Sequence, residues 1–167
     1  MNCFPVKALG CVFLVAASFA AGCLLSRRLY RRREFLRRFG AFLSLLKTNL
    51  RYRGEDVFTL VRLCAEQAEL PFLSVEKTGE DFTVVWERAL KAIPKAFALS
   101  ESDHFLLREL GSQLGATDLE GQLRHLELLE TQAAARLSES EERIQSKAKL
   151  YKTMGFFAGA SAAIVLM

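Results

Sequence analysis

This chain has little with which to break a helix and little with which to do chemistry. Proline stands only at positions 5, 71 and 94, so two prolines interrupt everything after the start. Runs of β-branched residues are missing apart from Thr83-Val84-Val85, which argues against a sheet. There are two histidines, His104 and His125, and neither belongs to an H-x-x-x-H or H-E-x-x-H pair, so no metal site is expected. No G-x-S-x-G, Walker loop or dinucleotide glycine pattern occurs. The serines near acids (Ser100, Ser102, Ser138, Ser140) fit caps or solvated helix positions. Of the four cysteines, Cys3, Cys11, Cys23 and Cys64, only the last lies in the middle of the chain. That excludes a disulfide framework there and suits a reducing compartment. No enzyme activity and no cofactor are expected.

What the chain does have is a sharp segregation of charge. Residues 8–26 and 153–167 carry no ionisable acid or base. Directly after the first apolar stretch come Arg27, Arg28, Arg31, Arg32, Arg33, Arg37 and Arg38. Residues 26–54 hold ten basic residues against one acid, a net +9. Residues 55–167 hold twelve against eighteen, a net −6. An uncharged stretch of about 18 residues or more can cross a bilayer, and a dense basic cluster beside it is retained on the cytoplasmic side. The expectation is a membrane helix over 1–26, a cytoplasmic helical domain over 27–152 and a C-terminal membrane segment over 153–167. The seven arginines would set topology and touch lipid headgroups. Nucleic-acid binding is the rival use of such a run, but its place beside an apolar stretch favours lipid.

The last segment is shorter. Fifteen residues rise only ~22 Å against a hydrocarbon core of ~30 Å. Lys152 can snorkel, Tyr151 suits the interface, and Gly155 with Gly159 permits close helix approach. A tail that packs on the domain or lies in the interface is the alternative. The first segment also has a rival reading. Ala20-Ala21-Gly22-Cys23 is like a lipoprotein cleavage box, which would place an acylated helical domain outside the cytoplasm. A signal peptide carries its positive charge ahead of the apolar run, whereas here one lysine precedes it and seven arginines follow.

Between the ends the periodicity predicts an all-α bundle of about five helices. Phe35, Phe39, Phe42, Leu46 and Leu50 form one stripe of a helix over about 31–53, closed by Gly54. A second helix over 55–69 would bury Val57, Leu60, Val61 and Cys64. A loop at 71–80 and a third helix over 80–92 with Phe82, Val85 and Trp86 follow. Ser100 reads as an N-cap for a fourth helix burying Phe105, Leu106 and Leu110. Thr117 and Glu120 have the capping-box spacing ahead of a helix over 118–154. Its first half carries Leu119, Leu123, Leu126 and Leu129 toward the core, and its polar second half would stand as a stalk. Exposed neighbours Gln122, Arg124, His125 and Glu127 form the candidate partner surface.

Order and spacing along nearly the whole chain resemble a known family. Leu114-Gly115, Asp118, Gln122 and Arg124-His125 open the long helix. The chain then closes with Lys152, Met154, Gly155, Gly159 and Ile164-Val165-Leu166-Met167, and the first helix ends in Tyr52 and Gly54. This layout is similar to the stage III sporulation protein AB family of endospore-forming bacteria. The chain departs from it at Glu34-Phe35, where a proline is common, and at Glu55-Asp56-Val57, where a Thr-Pro pair is common. The resemblance implies a component of the channel complex between mother cell and forespore, seated in the mother-cell membrane. It implies a domain like the F-family platform domains of type II secretion and type IV pilus systems, docking the stage III AA secretion-type ATPase. An adaptor of an ordinary secretion or pilus system is the alternative, though such proteins carry duplicated helical domains and no internal repeat occurs here.

Overall fold

The structure, a computed structural model, describes the backbone of residues 4–52 and 55–166 and the side chains of 27–52 and 55–147. Five α-helices and no strands occur among the described residues: α1 (Phe4–Tyr52), α2 (Val57–Gln67), α3 (Phe82–Lys91), α4 (Glu101–Gln113) and α5 (Leu119–Leu166). Short 3₁₀ turns at Pro71–Leu73 and Lys95–Phe97 follow the two internal prolines. α2 stops at Gln67, where Glu69 turns the chain with a φ of 57°, and α3 stops at Lys91 ahead of Pro94, whose ring cannot continue a helix. Where two helices were expected before Tyr52, there is one of 49 residues. Nothing between Ser26 and Arg33 breaks it, since glycine and proline are both missing there.

The stripe predicted on the first helix is the spine of the core. Phe35, Phe39, Phe42 and Leu46 are all fully buried. Phe35, Phe39 and Phe42 stack in series with ring centroids 6.1 and 6.0 Å apart, and Phe42 continues onto Trp86 at 6.4 Å. Phe82 extends the row beyond Trp86, and Phe72 and Phe97 close on Phe35 at the other end. Trp86 donates its indole N–H to the Leu107 carbonyl at 2.7 Å, so its one polar atom is satisfied inside the core. Facing it on α4 is Gly111, where a Cβ would lie 2.0 Å from Trp86 Cδ1. That glycine lets α3 and α4 approach.

Helices α1 and α5 run antiparallel. Lys47, late on α1, pairs with Glu130, early on α5, while Arg32, earlier on α1, lies in the field of Glu139, later on α5. Leu126, Leu129, Ala133 and Ser140 are buried along one seam, with Leu137 packed beside them. The polar segment read as a stalk therefore lies against the bundle as far as Ser140. Its inner positions at spacings of three and four are small or apolar, which a reading of overall polarity conceals.

Four further expectations change. Phe105 is 57% exposed and does not join the core. Its neighbours Leu106 and Leu107 take that face of α4. Leu119 is exposed and Leu123 only half-buried, whereas Leu110 and Leu126 are buried as expected. Val57 and Leu50 pack at the edge of the core and not within it. At the start of α5 the cap is Asp118, whose Oδ1 accepts the Gly121 N–H at 3.2 Å, and not Thr117.

Among the described residues no helix is long and apolar enough to cross a membrane. The expectations for 8–26 and 153–167, and for Ala148, Tyr151 and Lys152, rest on side chains outside the described residues.

Candidate membrane-facing and partner surfaces

The seven arginines do not form one surface. Arg27, Arg28 and Arg31 are exposed and make no ion pair with a described residue. Arg33 lies 5.5 Å over the ring of Tyr30, itself half exposed. Arg37 and Arg38 turn to Glu34, at 2.7 and 2.9 Å. Arg38 also reaches the Glu69 carboxylate and carbonyl, both at 3.1 Å, and so ties α1 to the end of α2. Hydrogen bonds from Arg37 and then Arg38 pull the Glu34 carboxyl down to about 2. The same bond raises the Arg37 guanidinium.

Arg32 is different in kind. It is 6% exposed and its guanidinium forks onto Asp103, Nε to Oδ2 at 2.7 Å and Nη2 to Oδ1 at 2.9 Å. Asp103 is 2% exposed and is also the N3 residue of α4. Its carboxylate accepts the Ser100 N–H at 2.8 Å while Ser100 Oγ accepts the Asp103 N–H at 3.2 Å, a complete capping box. Arg32 Nη2 reaches Ser100 Oγ as well, at 3.4 Å. Burial pushes the Asp103 carboxyl up, but the bonds from Arg32 and Ser100 outweigh it and hold the group below its ordinary value. Arg32 is raised, chiefly by its bond to Asp103 against the cost of burial. A two-pronged pair with its lone pairs satisfied is the arrangement in which buried charge is tolerated. Arg32 thus belongs to the interior and not to the headgroup-facing set in which its sequence placed it. The capping serine was legible in the sequence, but the pairing of Asp103 with Arg32, 71 residues away, was not.

The predicted partner surface also divides. Gln122 accepts the Gly115 N–H at 3.2 Å and donates to the Thr117 carbonyl at 2.7 Å, clamping the turn between α4 and α5. Gly115 itself adopts φ +83°, which glycine takes without strain. His125 is half-buried and its Nε2 is enclosed without a hydrogen-bond partner. Arg124 and Glu127 are exposed, and Leu128 beside them is 51% exposed, so these three share the outer side of α5. No group of three or more His, Cys, Asp or Glu able to hold a metal occurs among the described residues.

A family model for stage III sporulation protein AB matches residues 7–167. The chain belongs to this family. Stage III sporulation protein AB of Bacillus subtilis (strain 168) is 26% identical to it over 170 residues, covering 97% of this chain and 99% of the relative. No solved structure matches. As a stage III sporulation protein AB homologue, the chain has its role in sporulation. The family is not known to be catalytic. The residues that carried the resemblance prove largely architectural. Leu114, Gly115, Asp118 and Gln122 build the tight turn that folds α5 back along the bundle. Of that group, Leu114 is buried, Gln122 and His125 are half-buried, and Gly115, Asp118 and Arg124 are exposed.

Proposed function

We propose that this stage III sporulation protein AB homologue is a non-catalytic membrane platform of the mother cell–forespore channel complex. In this reading 1–26 and 153–167 are membrane segments, and the helical body 27–152 lies in the mother-cell cytoplasm. The observation that carries it is the antiparallel pairing of α1 and α5. Two antiparallel helices leave a bundle at the same end when one is followed backward and the other forward. The apolar stretches of the two helices then point to one bilayer, and exposed Arg27, Arg28 and Arg31 stand at its cytoplasmic face.

The partner side is the outer face of α5. Arg124 and Glu127 offer charge of both signs beside the exposed Leu128, a combination suited to a protein contact with a small apolar centre and a polar rim. The stage III AA secretion-type ATPase is the proposed partner. Gln122 serves this face by fixing the turn beneath it, and the half-buried His125 lies at its edge.

Reporter fusions after Gly54 and at the C-terminus test the topology. Cytoplasmic reporter activity is expected at Gly54, and a translocated-type signal there refutes the reading. For the partner, the double reversal Arg124→Glu with Glu127→Arg should abolish ATPase pull-down and block sporulation. Unchanged capture and spore yield mean that another face is used.

A further inference from the structure

The loop between α3 and α4 builds a cleft of about 470 Å³ whose mouth is cationic. Lys91 closes α3, Lys95 begins the following 3₁₀ turn, and Arg108 projects from the second turn of α4. All three are exposed and make no ion pair with a described residue. His104 joins them, and Glu87 is the one acid of the lining. Leu90, Ile93 and Leu99 supply an apolar floor. This basic spot sits on a body that is otherwise acidic, with eighteen acids against ten basic residues over 55–147.

Its position on α1 is fixed by two contacts. Arg32 holds Ser100 and Asp103, and Phe35 packs on Phe97 at 5.4 Å. Arg32 is six residues past Ser26, about 9 Å of helix rise, and Phe35 is about 14 Å past it. The cleft therefore lies at the foot of the body, level with the arginine stretch, although its cations come from residues far along the chain. Electrostatic attraction to an anionic surface extends about 10 Å at 0.1 M salt.

We propose that this cleft is a second lipid contact, binding the phosphate of an anionic phospholipid headgroup with Lys91, Lys95 and Arg108 while the apolar floor meets its glycerol end. The foot of the protein would then be gripped on two sides, by the arginines of α1 and by this corner. The inference rests on the membrane reading above. Anionic lipid is favoured over an acidic protein segment by the level of the cleft on α1, beside the stretch that carries Arg27, Arg28 and Arg31.

Lysine-acylation footprinting of the full chain in vesicles tests it. Phosphatidylcholine vesicles with and without phosphatidylglycerol are compared, with Lys77, exposed on the far loop, as internal control. Each cation near an anionic surface strengthens attraction about fivefold, so about fivefold slower labelling of Lys91 and Lys95 is expected with phosphatidylglycerol, with Lys77 unchanged. The protection should vanish near 1 M salt, where screening acts within about 3 Å. Arg108→Gln, at an exposed position, should reduce protection of both lysines without unfolding the chain. Equal labelling in the two vesicle types overturns the proposal, as does equal protection by inorganic phosphate or by polyglutamate in phosphatidylcholine alone. Release of the chain from vesicles by alkaline carbonate refutes the membrane reading itself, which keeps the two failures distinct.

Discussion

Arg31 and Arg32 are adjacent in sequence, share a helix and carry the same charge, yet they belong to different parts of the molecule. Arg31 is exposed, while Arg32 is buried on the pair it makes with Asp103. One step of about 100° around the helix decides which is which. Position 32 falls three residues before Phe35 and seven before Phe39, on the side of α1 that faces the bundle. The same stretch therefore serves two ends, interior locking and surface charge, and a charge count cannot separate them.

The largest expected effect separates the two arginines. Removing one partner of a buried pair strands the other charge, at a cost of about 3–5 kcal/mol. Arg32→Met or Asp103→Asn should lose this much in denaturant unfolding of the full chain in detergent, followed by the fluorescence of Trp86, the sole tryptophan. Arg31→Met should stay within about 0.5 kcal/mol. Equal losses at 31 and 32 would break the contrast.

Two glycines sharpen it by sign. Gly111→Ala drives a methyl into Trp86 and should cost about 1–3 kcal/mol. Gly40, inside α1 with nothing within 4 Å of its Cβ position, should gain about 0.5–1 kcal/mol on substitution by alanine. Thermal midpoints of the two variants should move in opposite directions.

Acid sharpens it again. The Asp103 carboxyl is held below the ordinary value of about 3.9. Its contribution is complete above that value and is lost as pH falls through the lower folded value. Stability should therefore drop below about pH 4, and Asp103→Asn should flatten that part of the profile. Glu34, pulled to about 2, has the same sign. It sits at the surface, where solvent and salt weaken such pairs, so Glu34→Gln should leave the acid limb nearly unchanged. At the turn, Gln122→Ala should cost about 1 kcal/mol because two hydrogen bonds pass to water.

Much of the fold was legible because it rests on local rules. The stripe of Phe35, Phe39, Phe42 and Leu46 has the period of a helix. Pro94 stops α3 for steric reasons, and Ser100 announces α4 with a cap. What stayed hidden involves partners far apart in the chain. Gly111 carries no signal of its own until Trp86 is set against it. Ser140 reads as solvated until α5 is laid along α1. Arg32 reads as one of seven until Asp103 arrives from 71 residues away. Of the candidate partner residues, Arg124 and Glu127 kept the exposure their helical position suggested. Gln122 was drawn into the turn by a backbone amide that no spacing rule reveals.

The most direct measurement is a double-mutant cycle on Arg32 and Asp103 in the full chain. Arg32→Met and Asp103→Leu alone should each cost about 3–5 kcal/mol, and the double variant, which leaves no charge buried, should recover most of that loss. Additive losses, or single losses no larger than those at Arg31, would contradict a buried lock between the basic stretch and α4.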